Sequence, residues 1–224
     1  MINKSKIFEV YESQEGRRKQ LYTVNLVPGK KVYNENLINE NNIEYREWDP
    51  FKSKLAASIL KGSPNLGIRK NDVILYLGSA SGTTVSHVSD IVGNEGFVFA
   101  VDIAPRVMRD LIFLCYQRKN IAPVLADANE PHEIKERISA ADIVYQDVSQ
   151  KNQVEIFLKN VRMFLKSEGY ALLALKARSI DVTKQPRQIF KQVKEILEKQ
   201  LAIIDYRELE PFQKDHCMFV CKKK

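Results

Sequence analysis

The run Val73-Ile-Leu-Tyr-Leu-Gly-Ser-Ala-Ser-Gly-Thr-Thr-Val-Ser-His-Val-Ser-Asp-Ile-Val92 constrains the fold more than any other stretch of the chain. It opens with a short apolar segment, as a buried strand does, and Gly78-Ser-Ala-Ser-Gly82 then breaks the pattern. Val85, Val88, Ile91 and Val92 follow at helical spacing on one face. Glycines at such a strand-to-helix turn let a ligand approach the backbone, with the helix N–H groups pointing at it. The spacing is G-x-x-x-G, not the G-x-G-x-x-G that suits a dinucleotide pyrophosphate. Asp102 ends the next expected strand, 97–101, where a carboxylate accepts hydrogen bonds from ribose hydroxyls. A nucleoside ligand without a pyrophosphate fits this pattern, S-adenosylmethionine foremost. The plain alternative is a structural turn of an α/β fold.

From Asp72 onward, strands alternate with helices. Strands are expected at 73–77, 97–101, 121–125, 141–145 and 170–176, and helices near 83–92, 106–118, 150–165 and 186–200. This order predicts a parallel sheet covered on both faces, with ligands at the carboxyl ends of its strands. The segments 202–209 and 217–221 follow each other without a helix, so they form an antiparallel hairpin at one sheet edge. Residues 1–52 differ in texture: 7–11, 20–26 and 43–48 alternate apolar and polar residues, with turn signals at Glu15-Gly16 and Pro28-Gly29. The reading is a small β-rich N-terminal domain at 1–52 and an α/β domain at 53–224, which opens with a helix at 53–60 carrying Lys54, with Lys52 assigned to the same helix.

The chain carries 35 Lys and Arg against 28 Asp and Glu, a net charge of +7, which suits a polyanionic partner without requiring one. Cys115, Cys217 and Cys221 form no CxxC and no even-numbered framework, so they read as reduced, buried thiols rather than metal ligands or disulfides. The start, Met1-Ile-Asn-Lys-Ser-Lys, lacks the apolar segment of a signal peptide, and no run is apolar enough to span a membrane. A cytoplasmic protein is expected.

Several polar residues fall at the carboxyl ends of expected strands: Asp127-Ala128, Gln146-Asp147-Val148-Ser149-Gln150 and Lys176; near the last strand sits His216 in Lys214-Asp215-His216. Singly, most are unremarkable. A lysine ending a strand ordinarily just reaches solvent, and a lone histidine, His87 and His132 included, is ordinarily structural or solvated. Asp147 is the strongest single candidate, because its strand end faces the ligand side. The set carries more weight than any member.

These residues make the sequence similar to a known family. Leu77-Gly-Ser-Ala-Ser-Gly-Thr-Thr-Val-Ser-His-Val-Ser-Asp90, preceded by Trp48-Asp-Pro-Phe-Lys-Ser-Lys-Leu-Ala-Ala57, closely resembles fibrillarin in its archaeal form. The likeness extends through Asp142-Ile-Val-Tyr-Gln-Asp-Val-Ser-Gln150 and Leu175-Lys-Ala-Arg-Ser-Ile-Asp181. The resemblance implies a Rossmann-like class I S-adenosylmethionine-dependent methyltransferase, with a seven-stranded sheet and a small N-terminal β domain. Its reaction would be 2′-O-methylation of ribose in ribosomal and transfer RNA. A Lys-Asp-Lys-His tetrad is implied at Lys54, Asp147, Lys176 and His216. Cofactor contacts are implied at Gly78, Ala80, Gly82, Thr83, Thr84, Asp102, Ile103, Asp127, Ala128, Asp147, Val148, Ser149 and Gln150, and no metal. The family commonly has glutamate and then an aromatic where this chain has Asp102-Ile103. A shorter carboxylate still reaches a ribose, while the missing aromatic weakens adenine packing.

The resemblance also implies partners: a box C/D guide RNA paired with the target RNA, a Nop-type scaffold protein and a kink-turn-binding protein. The surface around the last helix and terminal hairpin is the expected docking face for the scaffold. No sequence-reading RNA module is recognisable in the chain, which fits a guide-directed enzyme.

A ribose hydroxyl is a weak nucleophile, whereas a sulfonium methyl is already activated. The protein's tasks are therefore alignment and removal of a proton. Two lysines held close together favour loss of a proton from one of them. The expectation is Lys176 as general base positioned by Asp147, with Lys54 and His216 holding the 2′-oxygen or the neighbouring phosphate. Two rivals are a methyltransferase for another acceptor and a catalytically silent subunit of an RNA particle.

Overall fold

The computed structural model describes residues 1–16 and 18–224. The N-terminal strands are β1 (Asn3–Lys4), β2 (Tyr11–Glu15), β3 (Arg18–Val24), β4 (Leu37–Glu40) and β5 (Ile43–Trp48). They form an antiparallel sheet in the order β1-β2-β3-β5-β4. Two expectations are corrected here. Of 7–11 only Tyr11 lies in a strand; Ile7 to Val10 is a turn, closed by the Val10 N–H on the Ile7 carbonyl at 3.2 Å. Its apolar side chains alternate because the turn buries Ile7 and Val10 into the main core. Strand β4 was not anticipated. It pairs with β5 across Asn41 and Asn42, whose φ values of 54° and 62° suit a tight hairpin turn.

The second part begins with α1 (Lys54–Leu60), started by the Ser53 hydroxyl, which accepts from the Ala56 N–H. Lys52 lies before this helix, its ammonium 5.0 Å from the Tyr33 ring centroid. Then come β6 (Val73–Leu77), α2 (Thr83–Val92), β7 (Phe97–Asp102), α3 (Pro105–Gln117), β8 (Ile121–Leu125), β9 (Ala141–Gln146), α4 (Gln153–Phe164), β10 (Leu165–Lys176), the short α5 (Ala177–Ile180), α6 (Pro186–Glu198), β11 (Leu201–Glu208) and β12 (His216–Lys223). The sheet has seven strands in the order β11-β12-β10-β9-β6-β7-β8. Strands β10, β9, β6, β7 and β8 are parallel, and β12 runs antiparallel to both neighbours. Strand β10 begins at Leu165, where the expected helix was to end, because Leu165 already pairs with Ala141 of β9.

Helix α2 shows how the two sheets are joined. Its apolar face carries Val85, Val88, Ile91 and Val92 as expected, but Ser86, His87, Ser89 and Asp90 are buried as well. They face an ionic network shared with the N-terminal sheet. Asp90 accepts from Arg46 at 2.8 Å, Arg118 at 2.6 Å, the Thr23 hydroxyl at 2.8 Å and the Leu26 N–H at 3.0 Å. Arg46 also reaches Glu35 at 2.8 Å. Burial works to raise the Glu35 pKa, but backbone N–H groups of Val32 and Tyr33 and the Arg46 guanidinium outweigh it and hold the carboxyl below its usual range. Desolvated charges must be fully paired, so this network admits one placement of the sheet against α2. His87 lies stacked on Trp48, ring centroids 4.9 Å apart. The Thr23 hydroxyl donates to Asp90, so His87 Nδ1–H donates to Thr23, and the single proton of the Tyr33 hydroxyl is shared between Nε2 at 2.7 Å and the Glu47 carbonyl at 3.0 Å.

Candidate active site

The turn between β6 and α2 sits at the carboxyl end of the central strands. Gly82 has a φ of 96°, and a Cβ there would lie 2.5 Å from a Leu114 methyl of α3. At Gly78, with a φ of 83°, a Cβ would lie 2.4 Å from the Asp147 carbonyl oxygen. Both glycines thus allow protein elements to approach, in addition to any ligand: Gly82 seats α3 under the turn, and Gly78 brings the end of β9 against it. The Asp147 N–H reinforces this by donating to the Leu77 carbonyl at 2.8 Å.

Asp102 closes the turn from β7. One carboxylate oxygen accepts from the Ala80 N–H at 2.8 Å and the other from the Ala104 N–H at 2.9 Å, while Ala80 takes a left-handed φ of 47°. Each oxygen retains a further lone pair. The first N–H groups of α2 have no partner within their own helix, and the Ser79 hydroxyl of the turn is buried without a partner among the described residues. Donors on one side and a carboxylate on the other fit the ribose and the amino-acid end of S-adenosylmethionine. Ile103 beside Asp102 is half exposed. Asp127 and Ala128 follow β8, where the Asp127 carboxylate accepts from the Asn129 N–H at 2.8 Å. The Thr84 hydroxyl donates to Ser53 at 3.1 Å, which couples the turn to α1. Thr83, Val148 and Gln150 are partly buried around the turn, and Ser149 is exposed.

Beside this turn the structure gathers the four candidate catalytic residues. Lys54 opens α1, and its ammonium sits 2.8 and 3.0 Å from the two carboxylate oxygens of Asp147. Asp147 continues the face of Tyr145 just past β9, and Lys176 the face of Ala174 in β10; both faces belong to the core under α1 and α2. Lys176 stands opposite His216 of β12. The Ala177 N–H turns toward β12, bonding the Asp215 carbonyl at 3.0 Å, so Lys176 itself turns its N–H and C=O away. Lys176 and His216 therefore form a non-hydrogen-bonded pair, the kind that brings side chains closest.

One expected pairing differs. Asp147 binds Lys54, not Lys176, and no carboxylate contacts the Lys176 ammonium among the described residues. Lys54, presented by the first residue of α1, takes up both carboxylate oxygens of Asp147. His216 is held below the usual histidine pKa by burial, aided by the Lys54 and Lys176 charges; its bond to the Lys214 carbonyl and the Asp147 charge oppose the shift. It is neutral at pH 7, with Nδ1–H donating to Lys214 and Nε2 left as an acceptor.

Gln153, the first residue of α4, was not singled out from sequence, where it is one polar residue at a helix start. It is fully buried and binds the main chain of Lys176 twice, Nε2 donating to the carbonyl at 3.1 Å and Oε1 accepting from the N–H at 3.0 Å.

The sequence profile of the Fibrillarin family matches residues 1–224. The chain belongs to the fibrillarin family. It is 50% identical over 222 residues to the fibrillarin-like rRNA/tRNA 2′-O-methyltransferase of Methanocaldococcus jannaschii, a match spanning 98% of this chain and 96% of that protein. Among solved structures it is similar to Aeropyrum pernix fibrillarin with natively bound S-adenosyl-L-methionine, with a TM-score of 0.90 and 43% identity, covering 99% of this chain and 97% of that one. It is also similar to the fibrillarin of a fibrillarin/Nop5p complex, with a TM-score of 0.89 and 38% identity, covering 99% of this chain and all of that one. This fibrillarin-family chain is an S-adenosylmethionine-dependent methyltransferase, as the motifs implied. No helix in its described residues is long and apolar enough to cross a membrane.

Proposed function

We propose that this protein methylates ribose 2′-hydroxyls of ribosomal and transfer RNA, directed by a box C/D guide RNA within a particle that contains a Nop-type scaffold and a kink-turn-binding protein. The observation that carries the reading is the meeting of Lys54, Asp147, Lys176 and His216 beside the cofactor turn. Two lysines and a carboxylate at one mouth suit a phosphate-flanked hydroxyl acceptor. The names of its close relatives, and the complex one of them makes with Nop5p, support the same substrate and partner.

Bound S-adenosylmethionine supplies an electrophilic methyl group. The residues of the tetrad prepare the acceptor. Lys176, in its unprotonated amine form, takes the proton of the 2′-hydroxyl at Nζ and becomes the ammonium. Neutral His216 offers Nε2 as an acceptor to an N–H of Lys176 or to a ribose hydroxyl, and this tautomer cannot hold a phosphate oxygen. Holding the phosphate falls to Lys54, whose charge and direction are fixed by Asp147.

The deciding experiment is transfer of labelled methyl from S-adenosylmethionine to a guide-paired RNA, with and without the scaffold, guide and kink-turn-binding components. Transfer only with the full set, and none to a target with a 2′-deoxy nucleotide, supports the reading. Transfer to the deoxy target points to another acceptor. No transfer from the full set, despite cofactor binding, points to a catalytically silent subunit.

A further inference from the structure

We propose that Gln153 is a positioning residue for the reaction: its buried side-chain amide stands in for a missing strand neighbour and fixes the backbone from which Lys176 reaches the substrate. The inference rests on the reading of Lys176 as the general base.

Strand β10 outruns its parallel neighbour. The last residue of β10 paired with β9 is Leu173, opposite Gln146, so Lys176 lies beyond the end of the ladder on that side. Its N–H and C=O point into that gap, and in a strand the two groups of one residue point the same way. A peptide group from a neighbouring strand would satisfy both. Gln153 supplies the equivalent: Oε1 accepts from the Lys176 N–H at 3.0 Å and Nε2 donates to its carbonyl at 3.1 Å. Nε2 also donates to the Gln150 carbonyl at 3.0 Å.

The main chain of Gln153 is held as well: Gln146, fully buried at the end of β9, donates Nε2 to the Gln153 main-chain carbonyl at 2.6 Å. Gln146 directly precedes Asp147, and Gln150 lies within the loop after it. One residue therefore ties the two strand ends together, its main chain bonded to Gln146 beside Asp147 and its side chain to Lys176. A buried amide with both ends bonded has one orientation, and reversing it would set a donor against the Lys176 N–H. Methyl transfer needs oxygen, carbon and sulfur in line, a geometry that a small displacement of the base disturbs.

The test uses the assembled particle in single turnover, where the amplitude reports the folded fraction and the rate constant reports the chemical step. Gln153→Met keeps the volume and removes both bonds to Lys176. Its rate constant should fall by about tenfold or more, with affinities for S-adenosylmethionine and RNA within about twofold of wild type. A purely structural role would lower the amplitude and leave the rate constant unchanged, and that result overturns the proposal.

Gln153→Glu gives an independent reading should the methionine variant fail to fold. An ionised carboxylate faces the Lys176 carbonyl with a second acceptor, whereas the protonated acid can donate to it. The ratio of the variant's rate constant to that of wild type should rise as pH falls, and a ratio constant with pH overturns the proposal. Absence of RNA methylation by the wild-type particle would instead strike at the functional reading, so the two failures are distinct.

Discussion

Lys54 and Asp147, separated by 93 positions in the chain, meet with the lysine ammonium 2.8 and 3.0 Å from the two carboxylate oxygens. The pair is only one-fifth exposed on the lysine side and less on the aspartate side, so it is screened far less than a surface ion pair. It also fixes which lysine is committed as a cation. Asp147→Asn should keep the shape of the site and release Lys54. Single-turnover methyl transfer should fall on the order of a hundredfold, the scale of losing one preorganised electrostatic contact. A rate within a few-fold of wild type would show that the ion pair is incidental to the chemistry.

Lys176 has no such carboxylate partner among the described residues and stands opposite neutral His216. Lys176→Ala should abolish methyl transfer and leave S-adenosylmethionine binding by calorimetry nearly unchanged. Turnover near the wild-type rate would remove Lys176 from the role of base.

The glycines of the cofactor turn can be tested apart from activity. Gly82→Ala forces a side chain into a φ of 96° and to 2.5 Å from a Leu114 methyl, whereas Gly29 has a φ of 77° and nothing within 4 Å of an added Cβ. Gly29→Ala therefore measures the backbone strain alone. Gly82→Ala should cost roughly 1–3 kcal/mol beyond it, the usual scale of overpacking. For a chain of this length that lowers the thermal midpoint by about 5 °C more than Gly29→Ala. Equal midpoints for the two variants would mean that α3 yields freely to the added methyl.

The sequence carried the α/β half of the molecule because its strands are apolar runs separated by glycine, asparagine and charged turns. Strands β6 and β8 have their expected bounds, and β7 and β9 extend by one residue. The N-terminal sheet was less legible. Ile7 and Val10 look like strand residues because they are buried, yet a turn buries them, and β4 is too short and polar to stand out before its Asn41-Asn42 turn. The polar face of α2 was misleading for a physical reason. Periodicity assumes that polar residues face water, and here Ser86, His87 and Asp90 face buried partners contributed by distant segments. The candidate site residues were legible by type and strand position. Their pairings were not, since sequence order does not say which of two distant lysines, Lys54 of α1 or Lys176 of β10, reaches Asp147. Gln153 carried no signal, because it acts through the backbone of another residue.

The network around Asp90 makes its own prediction. Arg46 is fully buried and bridges Glu35 and Asp90. Arg46→Met leaves Glu35 without its cationic partner and Asp90 with Arg118 as its one remaining cation among the described residues. Breaking a buried pair from one side costs about 3–5 kcal/mol, which urea unfolding should register as a lowered midpoint. An unchanged midpoint would show that water or a rearranged arginine replaces Arg46 at no cost.

His87 should make the protein sensitive to mild acid. Burial, together with the Arg46 and Arg118 charges, holds the imidazole well below its usual pKa of 6.5, so the folded protein keeps it neutral. The unfolded chain binds a proton there once pH falls below that value. Protonation then favours the unfolded state, and stability present at neutral pH is lost as pH drops from about 6.5 toward 5, approaching about 1.4 kcal/mol per pH unit for one proton. His216, shifted the same way, adds to the slope with the same sign. The carboxyl of Glu35, held below its usual 4.5, contributes only at lower pH, so the window is set by the histidines. His87→Gln retains a donor for Thr23 and an acceptor for Tyr33 and does not titrate. Thermal midpoints measured from pH 7 to pH 5 should fall less steeply for the glutamine variant than for wild type. Parallel slopes would mean that the folded protein accepts a proton on His87, against the burial and hydrogen bonding that the structure gives it.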